Sequence, residues 1–161
     1  MNIVRRFLIF FSISIAIIAS DQLTKSLVIK NLPLNHGRPV VNHFLDVVHV
    51  RNSGAAFGFF SGSKGSLSRW ILTTVSILAL IAILGMTFWL DDESFLPLTG
   101  YALFFGGAAG NLVDRFLHGE VIDFIDVHVG AIHWPAFNVA DSSLCLGAFL
   151  FCLYILRQKT V

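Results

Sequence analysis

The sequence predicts a membrane protein: an all-α bundle of four transmembrane helices, with a small extracytoplasmic β-sheet at one end. Three observations predict it. The 161 residues are 55% hydrophobic and only 13% charged, with a mean hydropathy of +0.76, and a soluble domain carries about twice that charged share. Four segments are long and apolar enough to approach the ~20 residues that a bilayer span requires. Two of the intervening stretches are β-branched or alternate apolar with polar residues, as strands do. The length suits one integral membrane domain, 1–161. A net charge of +1 gives no basis for binding nucleic acid, and none is expected.

The first span is expected at 7–29. Its apolar run, "FLIFFSISIAIIA" (7–19), follows Arg5 and Arg6 and ends at Ala19-Ser20, which also fits a cleavable signal peptide. Asp21 and Lys25 favour a retained helix, because their i, i+4 spacing puts them on one face, able to pair. The outer loop 31–69 contains "PVVNHFLDVVHVRNSGAAFG" (39–58), read as two short strands and a turn. Asn52 falls at that turn, where asparagine is also simply a good turn former. The second span, 70–90, is bracketed by Trp70 and Trp89 as interfacial anchors. The third, 96–116, tolerates Pro97 in its first turn. In the outer loop 118–141, "VIDFIDVHV" (121–129) alternates and reads as a strand. The fourth span, 142–157, ends at Arg157. Cys145 and Cys152 lie about 10 Å apart along it, too far for a disulfide, and are expected as small core residues.

Four spans put both termini on one side, with Arg5, Arg6, Arg157, Lys159 and the "DDESF" loop (91–95). The opposite loop carries Arg38, Arg51, Lys64 and Arg69, so the basic residues are not confined to one side. The N-terminal arginines decide the orientation, since the first helix usually dominates. Both termini are then cytoplasmic and the loops 31–69 and 118–141 lie outside. At 1.5 Å per residue, Asp21 and Lys25 lie about 21 and 27 Å across, and Asn111, Asp114 and Arg115 about 21 to 27 Å. Counted back from Arg157, Asp141 lies about 24 Å across. Six polar groups from three helices thus share one level near the outer boundary. Such groups are either a buried ion-pair layer (Asp21 with Lys25, Asp114 with Arg115 or a neighbouring helix) or a functional site.

"GEVIDFIDVHVGAIHWPAFNVAD" (119–141) carries Glu120, Asp123, Asp126 and Asp141 with no Lys or Arg. Two close carboxylates hold one proton between them, because both cannot ionise cheaply. The ionised member can activate water and the protonated one can polarise a carbonyl, which suffices for peptide hydrolysis without a metal. Asp123 and Asp141 form the candidate pair. Glu120 and Asp126 compete for the role of Asp123, although Asp126 belongs to the opposite strand face. Asp141 also suits an N-cap of the fourth helix. "GGAAGNLVDR" (106–115) spaces Gly106 and Gly110 for close helix contact and sets Asn111, Asp114 and Arg115 at i, i+3, i+4 on one face. Six histidines include no metal-protease motif, so neither metal nor cofactor is expected. Ser142 or Ser143 with Lys25 would be the ingredients of a Ser–Lys nucleophile, but serines at a helix start are ordinary.

In order along the chain, "DQLTK" (21–25), "NSGAAFG" (52–58), "GGAAGNLVDR" (106–115) and "VIDFIDV" with "PAFNVAD" (135–141) resemble the four motifs of lipoprotein signal peptidases, the bacterial signal peptidase II family. The resemblance implies an aspartic endopeptidase of the bacterial inner membrane that removes signal peptides from prolipoproteins, before a diacylglyceryl-modified cysteine. It implies Asp123 and Asp141 as the catalytic dyad. Asn52, Gly54, Asn111, Arg115 and Asn138 would line the site or hold substrate, and Asp21 and Lys25, with Asp114, would support it. It implies diacylglyceryl-modified prolipoproteins, membrane lipid and globomycin-type inhibitors as partners, and a fold of four helices with an outer β-cradle. From another class, a small four-helix transporter or channel would use the polar layer as an ion path. Such a path should continue toward the cytoplasm, yet 70–90 and 144–156 contain no charged residue.

Overall fold

The computed structural model describes residues 2–54, 66–89 and 94–158. The expected loop residues 91–93, the span's last residue Leu90, residues 55–58 of the second motif, and Lys64 and Lys159 lie outside the described residues. In chain order the elements are α1 (Ile3–Asn31), β1 (Gly37–Val41), β2 (Leu45–Asn52), α2 (Ser66–Trp89), α3 (Phe95–Leu117), β3 (Val121–Val129), β4 (Ile132–His133) and α4 (Val139–Gln158). All four helices are long and apolar enough to cross a membrane. The expected fold class is present: four long apolar helices and a four-stranded antiparallel sheet in the order β1-β2-β3-β4.

α3 is the central helix. Half of its apolar window is buried, against 17% for α1 and α4, and it packs on α1, α2 and α4. Its glycines allow this. Gly106 and Gly110 face α1: an added Cβ would lie 2.8 Å from Ile17 Cβ at the first and 2.7 Å from Asp21 Oδ2 at the second. Gly107 faces α4, where a Cβ would meet Ser143 Oγ at 2.5 Å. Apolar packing among Phe10, Leu98 and Ala102 fills the end of the bundle near the chain's start. There the Arg6 guanidinium donates to the Thr87 carbonyl at the end of α2, which ties α1 to its antiparallel neighbour. Cys145 and Cys152 correct the expectation of core packing: both are exposed on the outer surface of α4, where a bilayer supplies the apolar surroundings.

The sheet sits where α1 and α3 end and α4 begins. Val28 and Leu32 at the end of α1 pack on Phe124, with Val47, Ile125 and Val139 around them. β2 pairs with β3 over Leu45↔Val127 to Asn52↔Val121, and a register shift between Val47 and Val50 lets Val50 oppose Asp123. The short strand β4, not anticipated from sequence, pairs His133 with His128. Two residues pair too briefly to leave a period in the sequence. β3 therefore runs from the helix bundle outward, with Asp123 at its inner end.

Candidate active site

One ammonium organises the polar layer. Lys25 has three N–H donors, and each has a partner: Asp21 Oδ2 at 2.7 Å, Asp114 Oδ2 at 2.7 Å and Asn111 Oδ1 at 3.1 Å. Lys25 is 1% exposed and Asp21 0%. Two carboxylates around one cation leave an excess negative charge, which further donors stabilise. Asp21 Oδ1 accepts the Ala140 backbone N–H at 2.9 Å, in the first turn of α4. Asp114 accepts the Ile122 N–H at 3.1 Å and the Gln22 side chain at 2.9 Å. The cluster thus pins α1, α3, β3 and α4 to one another. The sequence left open whether Asp114 pairs with Arg115 or with a neighbouring helix; its partner is Lys25 on α1.

The two candidate aspartates are held by asparagines. Asp123, 2% exposed, accepts the Asn52 side-chain N–H at Oδ2 (3.0 Å) and that of Asn138 at Oδ1 (2.8 Å). Asp141 is half-buried. Its Oδ1 accepts from Asn111 Nδ2 at 2.8 Å and its Oδ2 from the Asn138 backbone N–H at 3.3 Å. In return the Asp141 N–H donates to Asn138 Oδ1 at 2.9 Å. That reciprocal pair is a capping box. Asn138 is the cap and Asp141 the third residue of the turn, which corrects the N-cap reading of Asp141. The Asp141 carboxylate lies in the partial positive field of the helix N-terminus. Burial first, and the neighbouring charge of Asp141 second, push the Asp123 carboxyl up to about 6, against the opposing hydrogen bonds of Asn52 and Asn138.

Asn138 is the residue whose full part the sequence did not reveal. It is 0% exposed and touches Asp123 with its side chain, Asp141 with its backbone and Asn111 Oδ1 at 3.2 Å. Asn111 in turn joins Lys25 to Asp141. Gln22, also not singled out, bridges α1 to the Gly110 carbonyl at 3.1 Å as well as to Asp114. The Gly54 N–H closes a turn on Asn52 Oδ1 at 2.9 Å, which aims the Asn52 amide at Asp123. Arg115 lies within electrostatic reach of Asp141, Asp114 and Asp123, and its guanidinium contacts the Asn111 carbonyl of its own helix at 3.5 Å.

The competing readings fall elsewhere. Asp126 bonds His133 at 2.9 Å on the outer part of the sheet and opposes Asp46 across β2, away from Asp141. Ser142 Oγ and Ser143 Oγ donate to backbone carbonyls of their own segment, Asn138 and Ala140, at 2.9 and 2.7 Å. Lys25, saturated by acceptors, has no free pair to act as a base for them. Among the described residues no three His, Cys, Asp or Glu side chains converge as a metal-binding group. The remaining constellation is two carboxylates in unlike surroundings, one buried and one at a helix N-terminus, with a cation nearby. Such a pair can divide acid and base roles.

The family described as Signal peptidase (SPase) II matches residues 13–157. The lipoprotein signal peptidase of Oleidesulfovibrio alaskensis is 43% identical over 154 residues, covering 96% of this chain and 98% of that protein. The lipoprotein signal peptidase of Geobacter metallireducens is 44% identical over 151 residues, covering 92% and 91%. A bacterial membrane enzyme solved by the in meso method at 2.3 Å resolution superposes with a TM-score of 0.83 at 32% identity, over 93% of this chain and 88% of that one.

Proposed function

The chain belongs to the signal peptidase II family, peptidases that remove signal peptides from lipoproteins, and from that premise we propose that it is an aspartic endopeptidase with Asp123 and Asp141 as its catalytic pair. Its substrate is a prolipoprotein, cut just before a diacylglyceryl-modified cysteine. It works in the bacterial inner membrane with both termini in the cytoplasm and the aspartates toward the outer face. The observation that carries this reading is the bridge through Asn138, which bonds Asp123 and Asp141 at once.

The unlike surroundings support a division of roles. Burial and the neighbouring charge raise the Asp123 carboxyl to about 6, which favours Asp123 over Asp141 as the holder of the shared proton; Asp141, half-buried in the field of a helix N-terminus, is the member that takes a proton from water. A water between them attacks the scissile carbonyl and gives one proton to Asp141, while Asp123 protonates the carbonyl oxygen. In the collapse of the resulting diol, Asp141 returns its proton to the amide nitrogen, Asp123 recovers its own from a hydroxyl, and the C–N bond breaks. Acid–base assistance of this kind contributes roughly 10²–10⁴ in rate. Arg115 and Asn52 hold the substrate backbone beside Gly54, and Asn111 and Asn138 hold the carboxylates. Asp21, Lys25 and Asp114 keep the helices in register. A globomycin-type cyclic peptide inhibits by occupying the aspartates.

The diacylglyceryl group contributes about 0.8 kcal/mol per buried methylene. It anchors the cysteine in the leaflet beside the aspartates and so supplies proximity. The test compares a lipidated prolipoprotein with its unlipidated form, using purified protein in one bilayer preparation. The lipidated form should be cleaved far faster. Equal rates overturn the lipid-anchored reading.

A further inference from the structure

β2 carries one residue more than β3 just before it reaches the aspartates. Val47 pairs with Ile125 and Val50 with Asp123, so β2 spends an extra residue on the step. That is a β-bulge at Val48 and His49, and it changes which of the following side chains share the face of Asp123. Beyond it Asn52 pairs with Val121, on the face of Asp123, and its amide reaches that carboxylate diagonally at 3.0 Å. Arg51 pairs with Ile122 on the other face and is exposed. A regular ladder continued from Val47 and Ile125 would instead set His49 opposite Asp123 and Arg51 opposite Val121. A guanidinium would then stand where the Asn52 amide stands.

The bulge is held from the side of α1. His49 is 4% exposed. Its backbone N–H donates to the His36 carbonyl at 2.9 Å, and its carbonyl accepts the Asn35 N–H at 2.8 Å. Its ring Nδ1 lies 2.9 Å from the carbonyl of Leu32, the residue that ends α1. A carbonyl only accepts, so Nδ1 carries the hydrogen. The flanking strand fits the bulge closely: Gly37 of β1 pairs with Val48, and a Cβ there would lie 3.0 Å from Val48 Cγ1. α1 is in turn tied to β3, because Lys25 holds Asp114 and Asp114 accepts the Ile122 N–H. We propose that His49 is a positioning residue: by tying the bulge to the end of α1, it fixes the register that presents Asn52, and not Arg51, to Asp123. The role rests on the aspartate reading for its chemical meaning. An amide is a neutral donor, whereas a guanidinium beside Asp123 would favour the carboxylate strongly and displace the shared proton.

The test reads register and chemistry separately in the full chain. Register is read by oxidative cross-linking in a Cys145→Ala, Cys152→Ala background, with Arg51→Cys combined with either Ile122→Cys or Val121→Cys. With His49 in place the 51–122 pair should cross-link in preference to 51–121. His49→Leu should invert that preference, and His49→Asn, whose amide nitrogen stands where Nδ1 does, should restore it. An unchanged preference in His49→Leu, or loss of both cross-links, overturns the proposal. Chemistry is read with Arg51 and both native cysteines in place. The alkaline limb of the kcat/KM profile should move to lower pH in His49→Leu and stay put in His49→Asn. A limb in His49→Leu that moves to higher pH, as loss of the Asn52 donor alone would cause, also overturns it. If the aspartate reading is what fails, the limb ignores Asn52→Ala and His49→Leu alike while the cross-link still transfers. His49→Val, β-branched as strands favour, serves if the leucine variant does not fold.

Discussion

The Asn138 side-chain amide donates to Asp123 Oδ1 at 2.8 Å. The same residue caps α4 through the Asp141 N–H, so one residue sets the helix start and touches both carboxylates, Asp123 through its side chain and Asp141 through its backbone N–H. Asn138→Ala should therefore cost stability and rate together. Loss of the cap and of buried partners should destabilise by about 1–3 kcal/mol, read as a lower unfolding temperature in detergent. The cleavage rate should fall although both aspartates remain. A variant with wild-type rate and stability would show that this bridge is incidental.

Asn52 supplies a pH signature. Its hydrogen bond to Asp123 favours the carboxylate, opposing the burial and the Asp141 charge that raise that group to about 6. A pair that works with one shared proton loses activity as pH rises through the value at which Asp123 ionises. Removing the Asn52 donor raises that value further. In Asn52→Ala the alkaline limb of the kcat/KM profile should therefore move to higher pH, whatever happens to its amplitude. A limb that stays in place or moves to lower pH contradicts the assignment of the proton to Asp123.

Lys25 is expected to bear on folding rather than on chemistry, because its ammonium is held by Asp21, Asp114 and Asn111. Lys25→Met removes the cation between Asp21 and Asp114, both fully buried. Breaking such a group from one side costs about 3–5 kcal/mol. The variant should insert poorly or unfold at markedly lower temperature. Wild-type thermal stability in Lys25→Met would show that the layer does not hold the helices together.

Some of this arrangement was legible in the sequence, for identifiable reasons. Apolar length alone marks the helices, since hydropathy responds to composition and not to partners. Alternation in 121–129 marks β3, and the i, i+4 spacing of Asp21 and Lys25 marks their pairing. The choice of Lys25 as partner for Asp114 was not legible. It depends on α1 and α3 packing through Gly106 and Gly110, and local spacing equally offers Arg115. The helix start at Asn138 was hidden because the apolar run begins only after Ser143, whereas capping depends on polar groups upstream of it. The family's ordered motifs point to Asp123 and Asp141 as the candidate pair, but the dual contact of Asn138 requires β3 and α4 to meet in space.

The central claim is that Asp123 and Asp141 together perform the cleavage. The most direct measurement is the initial rate on a lipidated prolipoprotein for wild-type protein, Asp123→Asn and Asp141→Asn, each purified and shown by thermal unfolding to be folded. Each substitution removes half of a shared-proton pair, and groups acting as a unit fail together. Both variants should lose activity by at least about 10²–10⁴-fold while remaining folded and membrane-inserted. Substantial cleavage by either folded variant would contradict the account.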